Sequence, residues 1–176
     1  MKIIRLSSGI ILRQLHAPDA PDIFQAIDTQ RTYLGRWLPF VESTRALADS
    51  EAYVRSVEEG SEPVFTIRVD GAFAGLVGFR NTDLKHLSTE IGYWLREEFQ
   101  HRGIMTGAVS RLIDFAFEEL GVERVTIRCA VGNERSRNIP RRLGFSFEGV
   151  ERNGELLAGG VFTDLEVYGY RRYGQV

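Results

Sequence analysis

The chain reads as an α/β domain in which a mixed, mostly antiparallel sheet of about seven strands is flanked by four helices. Three observations predict this. Apolar residues alternate with a period of two in seven short runs and with a helical period in four others, in the order β-α-α-β-β-β-α-β-α-β-β. An Asp70-Gly71 pair separates two of the apolar runs, and these residues tolerate the positive φ that a two-residue hairpin turn demands. A polar turn from Arg96 to Gly103 carries the chain from a strand directly into a long helix, with no Pro to stop it.

Gly9 to Leu15 is the first expected strand, closed by a Pro-flanked polar turn. Pro18 to Thr29 follows as an amphipathic helix with Ile23, Ala26 and Ile27 on one side. The segment from Tyr33 to Phe40 is rich in aromatics for a connector, and it either lines a groove through Trp37 or plugs one edge of the core. Ala46 to Glu59 is a second, acidic helix whose sparse apolar side is Ala52, Val54 and Val57. Val64 to Val69 and Ala72 to Phe79 form the hairpin around Asp70-Gly71. Leu87 to Leu95 is a third consecutive strand, with Glu90 and Trp94 on the face opposite Ile91, Tyr93 and Leu95. The long helix repeats Ile104, Ala108, Leu112 and Ala116 every four residues and is closed by Gly121. Arg124 to Val131, Phe145 to Arg152 and Phe162 to Tyr170 are the last strands, with a short helix at Asn133 to Leu143.

At 43% hydrophobic, 176 residues suffice for a core, and residues 1–176 read as a single domain. A net charge of −2 gives no basic field, so nucleic acid is not an expected partner. No apolar run approaches the roughly 20 residues of a membrane span, and the opening M-K-I-I-R-L-S has no signal-peptide core, so no membrane is expected. The single cysteine, Cys129, cannot form an internal disulfide, which suits a cytoplasmic location, and its place among alternating apolar residues makes it core rather than nucleophile. His16, His86 and His101 stand apart from other ligand types, so no metal site is expected.

The turn into the long helix is the main functional signal. Unpaired amides at a helix N-terminus, and the positive end of its dipole, offer donors to an anion, and Gly103 lets the main chain approach closely. It is neither a Walker loop nor G-x-G-x-x-G, and by spacing alone a plain strand-to-helix turn fits as well as a pyrophosphate cradle. Gln100-His101-Arg102-Gly103-Ile104-Met105 resembles the Q/R-x-x-G-x-G/A acetyl-coenzyme A loop of the GNAT acyltransferases. Glu90 to Leu95 (E-I-G-Y-W-L) and Gly103 to Thr106 (G-I-M-T) are most similar to the RimJ/RimL-type, YdaF-like ribosomal-protein N-acetyltransferases, in which Met105 is a typical departure. The resemblance implies the GNAT fold with splayed central strands, and acetyl-coenzyme A as co-substrate. It further implies that Gln100, His101, Arg102, Gly103, Ile104, Met105 and Thr106 hold the pyrophosphate, and that the Leu95 backbone bonds the pantetheine arm.

A second block, Val131-Gly132-Asn133-Glu134-Arg135-Ser136 with Leu143-Gly144-Phe145, resembles the family's N-x-x-S/A segment and its later G-F. There Asn133 would steady the pantetheine arm; by residue type alone it is equally a helix cap. Many GNAT enzymes carry a Tyr where this chain has Pro140, and a Pro cannot protonate a departing thiolate. The resemblance moves that role to Ser136, which otherwise reads as an N-cap hydroxyl. Pro140 is expected near the start of its helix, because a deeper position costs about 3 kcal/mol.

Acetyl transfer needs a neutral amine, whereas an α-ammonium has a pKa of about 8 and an alkylammonium about 10, so a carboxylate should take the proton. Glu90 sits in mid-strand, where a charge is costly unless paired or used; it is either the base, as in several GNAT branches, or the partner of an Arg. Glu155, in an Asn-Gly-Glu turn expected between the last two strands, matches the position of an acidic residue in RimL-like proteins; otherwise it is a solvated hairpin tip. Arg135, Arg137, Arg141 and Arg142 form a basic cluster, either a solvated face or, through Arg141, a contact for the 3′-phosphate of the coenzyme. Trp37 and Tyr93 are the candidate acceptor contacts.

The resemblance implies direct transfer in a ternary complex to the α-amino group of a protein N-terminus, a Ser or Ala of a ribosomal protein. The acidic Asp49, Glu51, Glu58, Glu59 and Glu62 suit a basic protein or a polyamine equally. A small-amine acetyltransferase is therefore the alternative, and a non-catalytic acyl-coenzyme A sensor, for which Pro140 argues, is a second. Relatives of this type pair through late strands, which implies a homodimer.

Overall fold

The computed structural model describes Met1–Tyr173. The chain forms β1 (Ile3–Ser7), β2 (Ile10–Gln14), α1 (Ala20–Thr29), α2 (Arg31–Gly35), α3 (Phe40–Ser43), α4 (Leu47–Glu59), β3 (Val64–Val69), β4 (Ala72–Asp83) and β5 (Ser88–Leu95). It continues through α5 (Ile104–Glu118), β6 (Arg124–Ala130), α6 (Glu134–Arg142), β7 (Ser146–Leu157) and β8 (Val161–Arg171). All eight strands join one sheet in the order β1-β2-β3-β4-β5-β6-β8-β7, the mostly antiparallel α/β arrangement expected. The strand beyond the expected seven is β1. It lies at the sheet edge with only every second residue half-buried, so its sequence carries little apolar alternation. Among the described residues, no helix is long and apolar enough to cross a membrane.

The chain packs as two compact units, one of Met1–Gly78 with Tyr93–Ile104, the other of Phe79–Gly92 with the chain from Met105 onward. In the first, β1 to β4 form an antiparallel meander. Val69 pairs with Ala72 across the expected two-residue turn, where Asp70 and Gly71 take φ of 48° and 85°. The core gathers Ile23, Ala26 and Ile27 of α1, Val54 of α4, and Phe73, Leu76 and Trp94. The aromatic connector is not a loop but two short helices. Its Leu34 enters this core and Tyr33 and Leu38 pack against it, so most of the segment is a plug, while Trp37 stays half-buried under the Arg36 guanidinium, 5.0 Å from its ring. Gly75 is needed for close approach: a Cβ there would stand 2.2 Å from the Trp94 carbonyl oxygen. Asp19 is fully buried and accepts bonds from Arg13, from Arg68 at 2.6 Å and from the His16 backbone at 3.1 Å, tying β2, β3 and the entry to α1 together.

In the second unit, β5 and β6 are parallel, with Ser88, Thr89 and Glu90 opposite Arg124, Val125 and Thr126. Antiparallel β8 lies beside β6, and β7 beside β8. Residues opposite one another share a face, so the register divides the sheet cleanly. Ile127 and Cys129, with Tyr168 and Glu166 across from them, face α5 and α6. The ring stacking of Phe79 on Phe115 and of Phe117 on Tyr170 holds α5 there. Glu90, Arg128, Glu151 and Glu155 lie on the other face.

Two local expectations are corrected. Glu155 is not in a turn: β7 runs on to Leu157, Glu155 pairs with Thr163, and Asn153-Gly154 forms a bulge between Glu151 and Glu155, with Asn153 at φ 51°. The chain reverses at Ala158–Gly160 instead, because Gly159 and Gly160, both at φ 76°, supply the left-handed conformation. Pro140 does not open its helix but lies in the last turn of α6. The helix begins at Glu134, where the Asn133 side chain caps it, and at Pro140 only the amide that would have bonded the Ser136 carbonyl is lost.

Candidate active site

Three arrangements carry the candidate residues. The first is the turn into α5, whose Gln100 to Ile104 belong to the first unit. Gln100 is half-buried and its side-chain amide donates to the Leu95 carbonyl at 3.3 Å, fixing the turn against the end of β5. His101 has φ 60° and Gly103 φ 70°, and both are exposed together with Arg102. A histidine held in the left-handed region is a local strain that reorients successive peptide planes, the geometry that turns amides outward as an anion nest. The Arg102 guanidinium lies 5.7 Å over Phe99. Ile104 and Met105 are buried and Thr106 is half-buried, so those two side chains anchor the helix and only their amides are available to a ligand. Tyr93 is half-buried on β5.

The second arrangement, in the second unit, is a charged ladder across one sheet face. Glu90 is 4% exposed, and both its oxygens are occupied. Oε1 accepts from Arg80 Nε at 2.8 Å and Nη2 at 2.5 Å, and Oε2 from Asn81 at 3.0 Å and Arg128 Nε at 3.1 Å. Asn81 sits at φ 54°, which breaks the alternation of β4 so that consecutive residues reach one carboxylate. Arg128 also donates to Glu151 at 2.9 Å. Glu90 is thus an Arg-paired structural carboxylate in this arrangement. Glu155, half-buried on the same face, has no side-chain hydrogen bond among the described residues. Burial is the main cause that raises its pKa above the ordinary glutamate value; Arg80 and Arg128 pull it down and Glu90 pushes it up.

The third arrangement is the start of α6, on the opposite face. Asn133 Oδ1 accepts from the Ser136 amide at 3.3 Å, so Asn133, not Ser136, is the cap. The Ser136 hydroxyl, half-buried one turn into the helix, donates to Cys129 Sγ at 3.3 Å. Arg141 donates from Nε to the Tyr168 phenol at 3.3 Å, and that phenol donates to Glu166 at 2.8 Å. The basic cluster is therefore partly committed to β8, with the exposed Arg141 still open to solvent.

In the second unit, then, a proton acceptor with raised affinity and a hydroxyl at a helix N-terminus stand on opposite faces of β6, β7 and β8. Glu155 can take a proton from a nucleophile, and the hydroxyl with the positive end of its helix can stabilise a developing anion; both can serve one reacting carbon only where the pairing of β5 with β6 ends, past Glu90 and Thr126. Arg80, Asn81, Arg128 and Glu151 are site neighbours that the sequence reading missed. The signal that marked Glu90, a charge inside an apolar strand, is equally present at Arg128, whereas Arg80 and Asn81 lie past the expected strand end at Phe79 and join β4 only in the structure.

A family profile described as an acetyltransferase (GNAT) domain matches residues 10–146. YdaF of Bacillus subtilis (strain 168), named as a candidate ribosomal N-acetyltransferase, is 36% identical over 93% of this chain and 92% of its own. Spermidine N(1)-acetyltransferase of Escherichia coli (strain K12) is 30% identical over 80% of this chain and 75% of its own. Among solved structures, the ribosomal L7/L12 α-N-protein acetyltransferase RimL in complex with coenzyme A superposes with a TM-score of 0.91 at 25% identity, covering 97% of this chain and 98% of that one.

Proposed function

Because the chain belongs to the GNAT acetyltransferase family and is an N-acetyltransferase, we propose that it moves an acetyl group from acetyl-coenzyme A directly to the α-amino group of a protein N-terminus, a Ser or Ala of a ribosomal protein. The observation that carries the mechanism is Glu155, a half-buried carboxylate with raised proton affinity and no bonded partner among the described residues. Glu155 takes the proton of the α-ammonium, directly or through a water, which leaves a neutral amine to attack. The closer the carboxyl pKa lies to the ammonium's value of about 8, the less this transfer costs. As the tetrahedral intermediate collapses, the C–S bond breaks and the second proton of the amine nitrogen passes to the departing thiolate by way of the Ser136 hydroxyl, which gives up one proton and takes the other. The positive end of α6 stabilises the thiolate, and Glu155 releases its own proton to solvent. Glu90 positions: it holds Arg80 and Arg128 in place beside Glu155.

Within the same reading, the outward amides of Gln100 to Thr106 hold the pyrophosphate, the Leu95 backbone and Asn133 border the pantetheine arm, and Arg141 meets the 3′-phosphate. Trp37 and Tyr93 border the acceptor. The likeness to a spermidine acetyltransferase, together with the acidic α4, favours a small amine as the second reading.

The test is release of thiol from acetyl-coenzyme A with N-terminal peptides of ribosomal proteins against free polyamines and amino acids. A Ser-initiated peptide should exceed spermidine in kcat/KM by at least about tenfold, the order a site built for one acceptor imposes; the reverse ranking would overturn the acceptor assignment. Gly103→Ala should raise the KM for acetyl-coenzyme A about tenfold and leave the KM for peptide unchanged, because an L-residue at positive φ costs about 1 kcal/mol and a methyl stands where the phosphate must approach. Equal effects on both substrates would place the turn outside the coenzyme site.

A further inference from the structure

We infer that Arg80, steadied by Glu90, is a specificity-determining residue that admits acceptors with one ammonium group and turns away polyamines. This rests on the reading of Glu155 as the base, since it places the acceptor on the ladder face. Glu90 and Glu151 are bonded to the guanidiniums of Arg80 and Arg128, and Glu155 stands beside them, so this cluster of three carboxylates and two guanidiniums has a local balance of one negative charge. Farther along the same face, Arg124 pairs with Glu148 and stands opposite Arg171, outside the cluster around Glu155. A single ammonium neutralises the ladder. A polyamine brings further ammoniums to fixed guanidiniums, and like charges at close range are costly.

Arg80 is suited to this because it cannot withdraw. Its Nε and Nη2 are both on Glu90, and its side chain lies against Gly92, whose absent Cβ would stand 3.5 Å from Nε. The side chain is nevertheless 49% exposed, and Nη1 has no bond among the described residues. That nitrogen can donate to a peptide carbonyl, a group that a peptide has and a polyamine lacks. Attraction for the one acceptor and repulsion of the other thus come from one guanidinium.

The experiment is calorimetric titration of the coenzyme A-bound protein with a Ser-initiated peptide and with spermidine, in the native chain, Arg80→Gln and Arg80→Lys, each first checked by thermal melting. Arg80→Gln should bind spermidine about tenfold more tightly and the peptide no more tightly, while Arg80→Lys, which keeps the charge, should keep the native ranking. Spermidine affinity unchanged in Arg80→Gln, or raised equally in Arg80→Lys, would overturn the inference. Absence of thiol release with any amine would instead count against the assigned reaction, and the binding ranking would still decide the role of Arg80.

Discussion

Glu155→Gln should lower kcat/KM for a Ser-initiated peptide by about 10²- to 10³-fold, with the KM for acetyl-coenzyme A unchanged. The amide fills the same space and cannot accept a proton. In the native enzyme the rate should rise with pH through a midpoint above the ordinary glutamate range, because burial raises the carboxyl pKa, and this limb should vanish in the variant. The same shift fixes the sign of the stability effect. A carboxyl whose pKa is raised by folding holds its proton more tightly folded than unfolded. Its contribution is therefore favourable at low pH and is lost as pH rises through the window between the unfolded and folded values. Above that window Glu155 is ionised at a cost, so there Glu155→Gln should melt at an equal or higher temperature. A loss of activity accompanied by a lower melting temperature would indicate a structural carboxylate. Trading stability for a group that works is a common property of active sites.

Glu90→Ala should behave in the opposite way. Removing a carboxylate that is 4% exposed and accepts from Arg80, Asn81 and Arg128 leaves donors without an acceptor, and breaking such a pair costs about 3 kcal/mol, the lower end of the usual range because Arg80 is half-exposed. For a chain of this length that is a fall in melting temperature of about 6–12 °C. The activity that remains should keep its rising pH limb, displaced to lower pH, because the Glu90 charge helps to raise the pKa of Glu155 while Arg80 and Arg128 lower it. If Glu90 were the base, the limb would disappear. The two variants together separate proton transfer from positioning by signs that oppose one another.

These two glutamates also mark what could and could not be read from the chain. Both are carboxylates within apolar surroundings, and periodicity singles out Glu90 for its place in a strand while leaving Glu155 at a hairpin tip. The roles reverse in the fold because the partners of Glu90 come from β4 and β6, and Asn81 reaches it only through a residue at positive φ. Glu155 becomes half-buried only because the Asn153-Gly154 bulge extends β7 by several residues, and a bulge leaves no periodic trace in sequence. The plug to which Leu34 belongs, and the cap that Asn133 forms on α6, are each one of two readings that residue type leaves open.

What the sequence by itself determined was local: the order of strands and helices from apolar period, the Asp70-Gly71 turn, the strand-to-helix turn at Gln100 to Gly103, and, through its motifs, the family. These depend on neighbours within a few residues, whose φ preferences and side-chain spacing are written in the chain. Which carboxylate is bound and which is open, and which guanidiniums stand beside them, only the tertiary structure decided. A charge is paired or left open according to what distant strands bring to it, and strand register is set by the packing of the whole sheet.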